Sequence, residues 1–244
     1  MAPVMWRQFF YPHARRGYQL VFNRPARRER RQRIDFFQEF IAEGDLVFDI
    51  GACHGELVET FEDLGARVVA VEPNPELAER LRSRFACEVV MAAAGPVAGE
   101  VTLHIGQDPA HSTVSDDWRE RAPTSDRWRS RTVVPQLTLD SLIAEYGEPA
   151  FVKLDVEGNE AEALAGLTWS PPAVCFEFQC SAPDVTVAAL QRLDEVGRYR
   201  YAYTVFEERT LVGGWGDRAR VLDEIEALSN EVPDGYGDVI ARMD

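Results

Sequence analysis

From residue 34 onward the chain alternates short apolar runs with stretches of helical spacing. Few folds tolerate that alternation, because a strand followed by a crossover helix builds a parallel sheet covered on both faces. The runs are 46–50, 67–72 (RVVAVE), 87–92, 150–156 (AFVKLDV), 173–179, 199–206 and 237–243. Their near-continuous hydrophobicity suits strands buried on both sides. Between them Leu57, Val58, Phe61 and Leu64 recur at helical spacing, with Gly65 fitting the position just past the helix end. Asn74 and Pro75 open a second helix lined by Leu77, Leu81 and Phe85, and a later one spans 184–196 before Gly197. Seven strands with helices on both faces predict a single Rossmann-like α/β domain over 34–244, and 244 residues leave little room for two full domains.

Two segments depart from this rhythm. Residues 1–33 carry nine arginines against one acid, Glu29, whereas the rest holds 17 basic and 40 acidic groups, for a net charge of −15. An acidic body repels nucleic acid backbones, so no nucleic acid partner is expected there. The basic arm, with Trp6, Phe9, Phe10, Tyr11, Tyr18 and Phe22 interleaved, has two readings: helices packed on the acidic body through ion pairs, or peripheral contact with an anionic membrane or RNA. Residues 106–131 are polar, contain two prolines and show no lasting periodicity; a loop of that length in a compact domain reads as an active-site lid, with Trp118 and Trp128 arguing against plain disorder. No run of 18 apolar residues predicts a membrane span, and the N-terminus lacks the apolar core of a signal peptide. Cys53, Cys87, Cys175 and Cys180 form no Cys-x-x-Cys pair, which suits reduced thiols in a cytoplasmic protein.

The loop after the first strand reads Asp49-Ile-Gly51-Ala52-Cys53-His54-Gly55. A dinucleotide site wants Gly-x-Gly-x-x-Gly, so that backbone can press on a pyrophosphate at a helix N-terminus. Here the middle glycine is absent, and Asp49 would repel a diphosphate. S-adenosyl-L-methionine has no phosphate but carries an ammonium, a carboxylate, a sulfonium and a ribose. Asp49 can hold the ammonium while loop amides take the carboxylate, each charge-assisted bond being worth on the order of 1.5–3 kcal/mol. Glu72, twenty-one residues after Gly51 at the end of the second strand, can accept both ribose hydroxyls. The competing readings make Asp49 a helix-capping carboxylate and Glu72 a solvated strand end.

The chain has a single lysine, Lys153, in FVKLDVEGNE. Alternation along a strand would put Lys153, Asp155 and Glu157 on one side, the last two at its carboxyl end. A buried lysine needs a partner, and Asp155, Glu157 or Glu177 can serve. The cluster fits a site that tunes proton transfer, or an ion-pair network that merely joins two strands.

FDIGACHGELVETF, VVAVEPNPELAERL, AAGPVAGEVTLHI, LTLDSLI and VKLDVEGNEAEALAGL, in this order, resemble the FkbM family of S-adenosylmethionine-dependent methyltransferases over about residues 34–180. The resemblance implies a seven-stranded, mostly parallel sheet whose last strand is antiparallel, and O-methylation of a hydroxyl on a small molecule, natural product or sugar, with S-adenosyl-L-homocysteine as product. It places Asp49, Gly51, Ala52, Gly55 and Glu72 on the cofactor, Pro73 and Asn74 beside the ribose, and Met91, Ala92 and Ala93 beside the adenine. Asp155 and Glu157 match the acids facing the methyl-transfer centre. His54 stands where the family often has a small or apolar residue, so it either joins the cofactor site or is incidental. Beyond residue 180 the resemblance fades, and that part should select the acceptor.

An alcohol needs a base, which makes Asp155, with Lys153 and Glu157 around it, the expected catalytic group; His111 and His54 are rivals. No ligand spacing demands a metal. An NAD(P)-dependent oxidoreductase and a non-catalytic S-adenosylmethionine-binding module stand as alternatives, and self-association stays open.

Overall fold

The computed structural model describes residues 24–121, 128–206 and 208–244; residues 1–23 of the basic arm and 122–127 of the expected lid lie outside them. Helix α1 (Arg24–Phe37) leads into strand β1 (Leu46–Ile50), α2 (Glu56–Asp63), β2 (Arg67–Val71), α3 (Pro75–Arg84) and β3 (Glu88–Val90). Then come β4 (Ala93–Ala94), β5 (Gly99–Gly106), α4 (Asp116–Arg121), β6 (Trp128–Leu137) and α5 (Leu139–Tyr146). The rest is β7 (Phe151–Leu154), α6 (Glu160–Ala165), β8 (Ala173–Gln179), α7 (Pro183–Val196), β9 (Tyr199–Tyr203), β10 (Val212–Gly216), α8 (Arg218–Glu231) and β11 (Tyr236–Met243).

The main sheet has the order β10-β9-β11-β8-β7-β1-β2-β3. β1, β2, β3, β7 and β8 pair in parallel, while β11 runs antiparallel to both β8 and β9, as the resemblance implies for the last strand. This is a Rossmann-like sheet of the kind the resemblance implies, with one strand more than the seven expected. The addition is β10, whose Val-Gly-Gly-Trp-Gly lacks an apolar run and so left no periodic signal. From β1 the chain steps outward to β2 and β3, then returns to β7 on the other side. That reversal opens a crevice above the carboxyl ends of β1 and β7.

Local signals set the helix ends. Asn74 Oδ1 accepts from Glu76 N at 3.0 Å, with Pro75 in the first turn of α3. Gly65 follows α2 at φ +78°. Gly55, also at φ +78°, caps the start of α2, so Asp49 is not a helix cap.

Within the stretch 106–131, residues 128–131 are strand rather than loop. β5 and β6 pair antiparallel from Gly99–Gln136 to Gly106–Trp128 and, with β4, form a second, three-stranded sheet. The described part of their connection includes a 3-10 turn at Pro109–His111, a His104–Thr113 bridge and α4. The sequence hid β6 because Arg129, Ser130 and Arg131 stand exposed in succession, Val133 faces water and Pro135 interrupts the run, so no apolar alternation survives.

One face of the main sheet packs under α1 and α2. Phe36 and Phe37 of α1 are buried, Phe37 meeting the edges of Phe61 and Phe151 at 5.1 and 5.7 Å between centroids. Burying each such ring contributes about 1.5–3 kcal/mol. Ion pairs join α1 to α2: Arg30 with Asp63 and Glu59, and Arg33 with Glu56. The described part of the arm thus packs on the acidic body, and α1 runs unbroken across residue 33. No described helix is long and apolar enough to cross a membrane. None of the four cysteines is bridged; Cys175 and Cys180 are buried and Cys53 and Cys87 half-buried.

Candidate active site

Gly51 ends β1 at φ +86°, and a Cβ there would stand 1.8 Å from the Asp155 carbonyl oxygen. The loops after β1 and β7 therefore touch backbone to backbone, which only glycine permits. Gly51 N and Ala52 N donate to Val71 O at 2.8 and 3.1 Å, drawing the loop toward β2. Cys53, at φ +48°, then donates its N–H to Glu72 Oε2 at 2.8 Å, while Asn74 N donates to Glu72 Oε1, also at 2.8 Å. Glu72 is 4 % exposed, so it is not a solvated strand end. It staples two loops, and each oxygen keeps a second lone pair for a ligand hydroxyl. Burial pushes its carboxyl up to about 7, against the pull of those two N–H groups.

Two clefts flank the Gly51 loop. The first is lined by Glu72, Pro73, Leu77, Ala92, Ala93 and Leu103, with Asp155 and Glu157 also on its wall, so a largely apolar slot carries three carboxylate residues. The second is lined by Asp49, Ala52, His54, Leu57, Arg33 and Arg209. Gly51, Cys53, Ala110 and Asp155 border both.

Other expected residues fall elsewhere. Gly55 points at Phe85, whose ring would lie 2.2 Å from an added Cβ, so its smallness serves packing against α3. Asn74 is occupied as cap of α3. Met91 is 37 % exposed and lines neither cleft. His54 borders the second cleft and is otherwise exposed, while His111 borders neither, although its neighbour Ala110 borders both.

Lys153 is 1 % exposed, in register with Asp49 across β1 and β7. Its Nζ donates to Leu154 O at 2.9 Å and lies 3.5 Å from Asp155 Oδ2. Its main partner is one sequence reasoning missed, Asp238 of β11, at 2.9 Å. Asp238 also pairs with Arg209, whose guanidinium stacks over Phe37. Burial would strip the ammonium of its proton, but Asp155 and Asp238 outweigh it and hold Lys153 charged. An aspartate inside the apolar run GDVIARM was the available clue. Strand alternation stops at Leu154, so it does not orient Asp155 and Glu157; Glu157 sits at φ +54°, and its carbonyl accepts from Thr113 Oγ1 at 2.8 Å. Glu177 carries a carboxyl raised well above its ordinary value by burial and by Asp155 and Glu157, and it accepts from Gln179 rather than from Lys153.

Two further residues shape this loop. Buried Glu160 accepts from Val156 N at 3.1 Å and Gly158 N at 3.4 Å, folding the chain back over α6. Asn159 Nδ2 donates to Ala94 O at 3.0 Å, tying the loop to the first cleft. Asp49 is 2 % exposed, and its Oδ2 is buried without a hydrogen-bond partner. Burial pushes its carboxyl up to about 7, opposed by Lys153 and helped by Asp155 and Glu72. A buried acceptor left open in a cleft fits a cation that is not part of the chain.

The methyltransferase FkbM domain model matches residues 49–202. The chain belongs to the FkbM methyltransferase family. The match runs past residue 180, where the resemblance was expected to fade. S-adenosyl-L-methionine is accordingly the donor, and the oxidoreductase alternative falls away. The residues present fit that donor: a buried carboxylate with lone pairs to spare for hydroxyls at one cleft and an acid with an unpartnered oxygen, suited to an ammonium, at the other. Ribosomal RNA small subunit methyltransferase A of Sphingopyxis alaskensis is 30 % identical over 129 residues, 47 % of each chain, so the match spans about half the length of that curated relative. Among solved structures, precorrin-6y C5,15-methyltransferase from Geobacter metallireducens aligns at TM-score 0.45 and 12 % identity over 88 % of this chain and 86 % of that one. Aeropyrum pernix fibrillarin with bound S-adenosyl-L-methionine aligns at 0.43 and 11 %, over 82 % and 67 %.

Proposed function

We propose that the protein methylates a hydroxyl group on a small molecule, natural product or sugar, with Asp155 as the group that takes or orients the hydroxyl proton. When bound, S-adenosyl-L-methionine supplies an electrophilic methyl on a sulfonium and leaves as a neutral thioether. Glu72 accepts the ribose hydroxyls, Ala92 and Ala93 flank the adenine, and Asp49 faces the ammonium. The observation that carries the reading is Asp155: it borders both clefts, half exposed at its side chain, with its Oδ2 turned toward the buried Lys153. Holding an acceptor oxygen beside such a group can supply much of the roughly 7–11 kcal/mol available from positioning.

The described residues 106–121 act in this reading as the site's cover. Thr113 holds the Glu157 carbonyl, Trp118 packs on Gly158, and Arg121 makes a two-bond pair with Asp184 at 2.6 and 2.9 Å. A small acceptor is favoured over RNA by the net charge of −15, although the curated relative is by name a ribosomal RNA methyltransferase.

The test is a screen of hydroxylated metabolites and RNA for methyl transfer, repeated with Asp155→Asn. The variant is expected to bind S-adenosylhomocysteine as the wild type does and to lose at least about a hundredfold in kcat. Full activity removes Asp155 from the role. Donor binding without turnover on any acceptor favours a binding module, and turnover on RNA replaces the acceptor class.

A further inference from the structure

The donor's amino-acid end is a zwitterion, and the second cleft offers a matched pair of charges for it. Asp49 Oδ2, buried and unpartnered, is the acceptor for an ammonium. The carboxylate needs a donor nearby, and two guanidiniums border the cleft, Arg209 and Arg33. Arg209 is committed to Asp238 and stacked on the Phe37 ring, with its centre 5.7 Å from the ring centroid. Arg33 is differently placed. It lies one helical turn before Phe36 and Phe37, which root α1 in the core. Its Nε donates to the buried Thr60 Oγ1 at 3.3 Å, which fixes the plane of the fork. Its Nη1 lies 3.9 Å from Glu56 Oε2, a carboxylate 75 % exposed, and an ion pair that wet contributes about 0–1 kcal/mol. A ligand carboxylate meeting the fork in two-bond geometry competes favourably with it. The charges that remain in the cleft are Glu29 and Glu56 at its α1 and α2 walls and Asp155 at the junction with the first cleft.

We infer that Arg33 of α1 is a donor-binding residue: its guanidinium takes the carboxylate of the methionine moiety while Asp49 takes the ammonium. Arg33 precedes the family-matched residues 49–202, so in this proposal a helix outside the matched stretch contributes to the cofactor site. The inference rests on the donor site proposed above.

Calorimetry on the full chain separates the two. Wild type and Arg33→Ala are titrated with S-adenosylhomocysteine and with 5′-methylthioadenosine, which keeps the nucleoside and sulfur but lacks the amino-acid group. Arg33→Ala should weaken S-adenosylhomocysteine by about tenfold or more and leave 5′-methylthioadenosine within a factor of about two, with Arg33→Lys recovering part of the loss. Equal losses for both ligands would show that Arg33 only braces the loop against α2 and overturn the inference. Unchanged S-adenosylhomocysteine affinity in Arg33→Ala overturns it too, with the donor site intact. A wild type that binds neither nucleoside overturns the donor site and the inference together.

Discussion

At the scale of single residues, the site is built from acids held where acids are unstable. Asp49, Glu72 and Glu160 are all buried, and burial raises each carboxyl to about 7. Glu72 and Glu160 spend their oxygens on loop N–H groups, whereas Asp49 keeps one oxygen open. For Asp49 the sign follows directly. The folded chain holds a proton there between the unfolded value near 3.8 and about 7, so this group costs stability as pH rises through that window. Asp49→Asn should therefore leave stability unchanged near pH 4 and raise it by about 1–3 kcal/mol at pH 8. The same variant should lose affinity for S-adenosylhomocysteine, because the ammonium loses its counter-charge. Urea unfolding at the two pH values and calorimetry at pH 8 check both halves. A variant less stable than wild type at pH 8 would mean that Asp49 is held by its neighbours rather than opposed by burial.

At the scale of elements, the decisive contact is between two loops. Gly51 and Asp155 sit at the ends of strands β1 and β7, and the carbonyl of one lies where a side chain of the other would be. Gly51→Ala must break that contact and also adopt φ +86°, at an expected cost of about 2–4 kcal/mol. Because the shift would move the Asp155 backbone, turnover should fall further than donor affinity does; thermal unfolding and paired kinetics measure the two. This arrangement was half legible in sequence. The Asp49–Gly55 loop and Glu72 announce themselves by type and spacing. That Gly51 serves loop contact, and Gly55 the Phe85 ring, was invisible, because both reasons lie in residues more than twenty positions away. The strands of the main sheet other than β10 were legible because burial makes apolar runs. β5 and β6 were not, because one face of their small sheet is open to water: Val133 is 62 % exposed and arginines alternate along β6.

At the scale of the molecule, the central strand β7 and the C-terminal strands meet through one buried charge network. Lys153 on β7, Asp238 on β11 and Arg209 before β10 form a relay that reaches Asp155 at the junction of the clefts. Sequence reasoning supplied the lysine and, among its candidate partners, Asp155, but not Asp238, because β11 is inserted antiparallel beside β8 and no local pattern reveals which side chains it brings to that face. The network joins the family-matched domain to residues beyond 202, so its loss should be felt across the fold. Asp238→Ala leaves an ammonium and a guanidinium buried without their shared carboxylate, a situation that typically costs about 3–5 kcal/mol. Lys153 and Arg209 hold the Asp238 carboxyl below its usual value despite burial, so its contribution is present above pH 4 and fades as pH falls through the folded value. Urea unfolding at pH 7 should show the full loss and at pH 3 a smaller one. A uniform difference at both values would assign the cost to packing alone. A loss below about 1 kcal/mol at pH 7 would mean that water reaches the pair, and that the lysine's charge is held by Asp155 at the cleft rather than by the last strand.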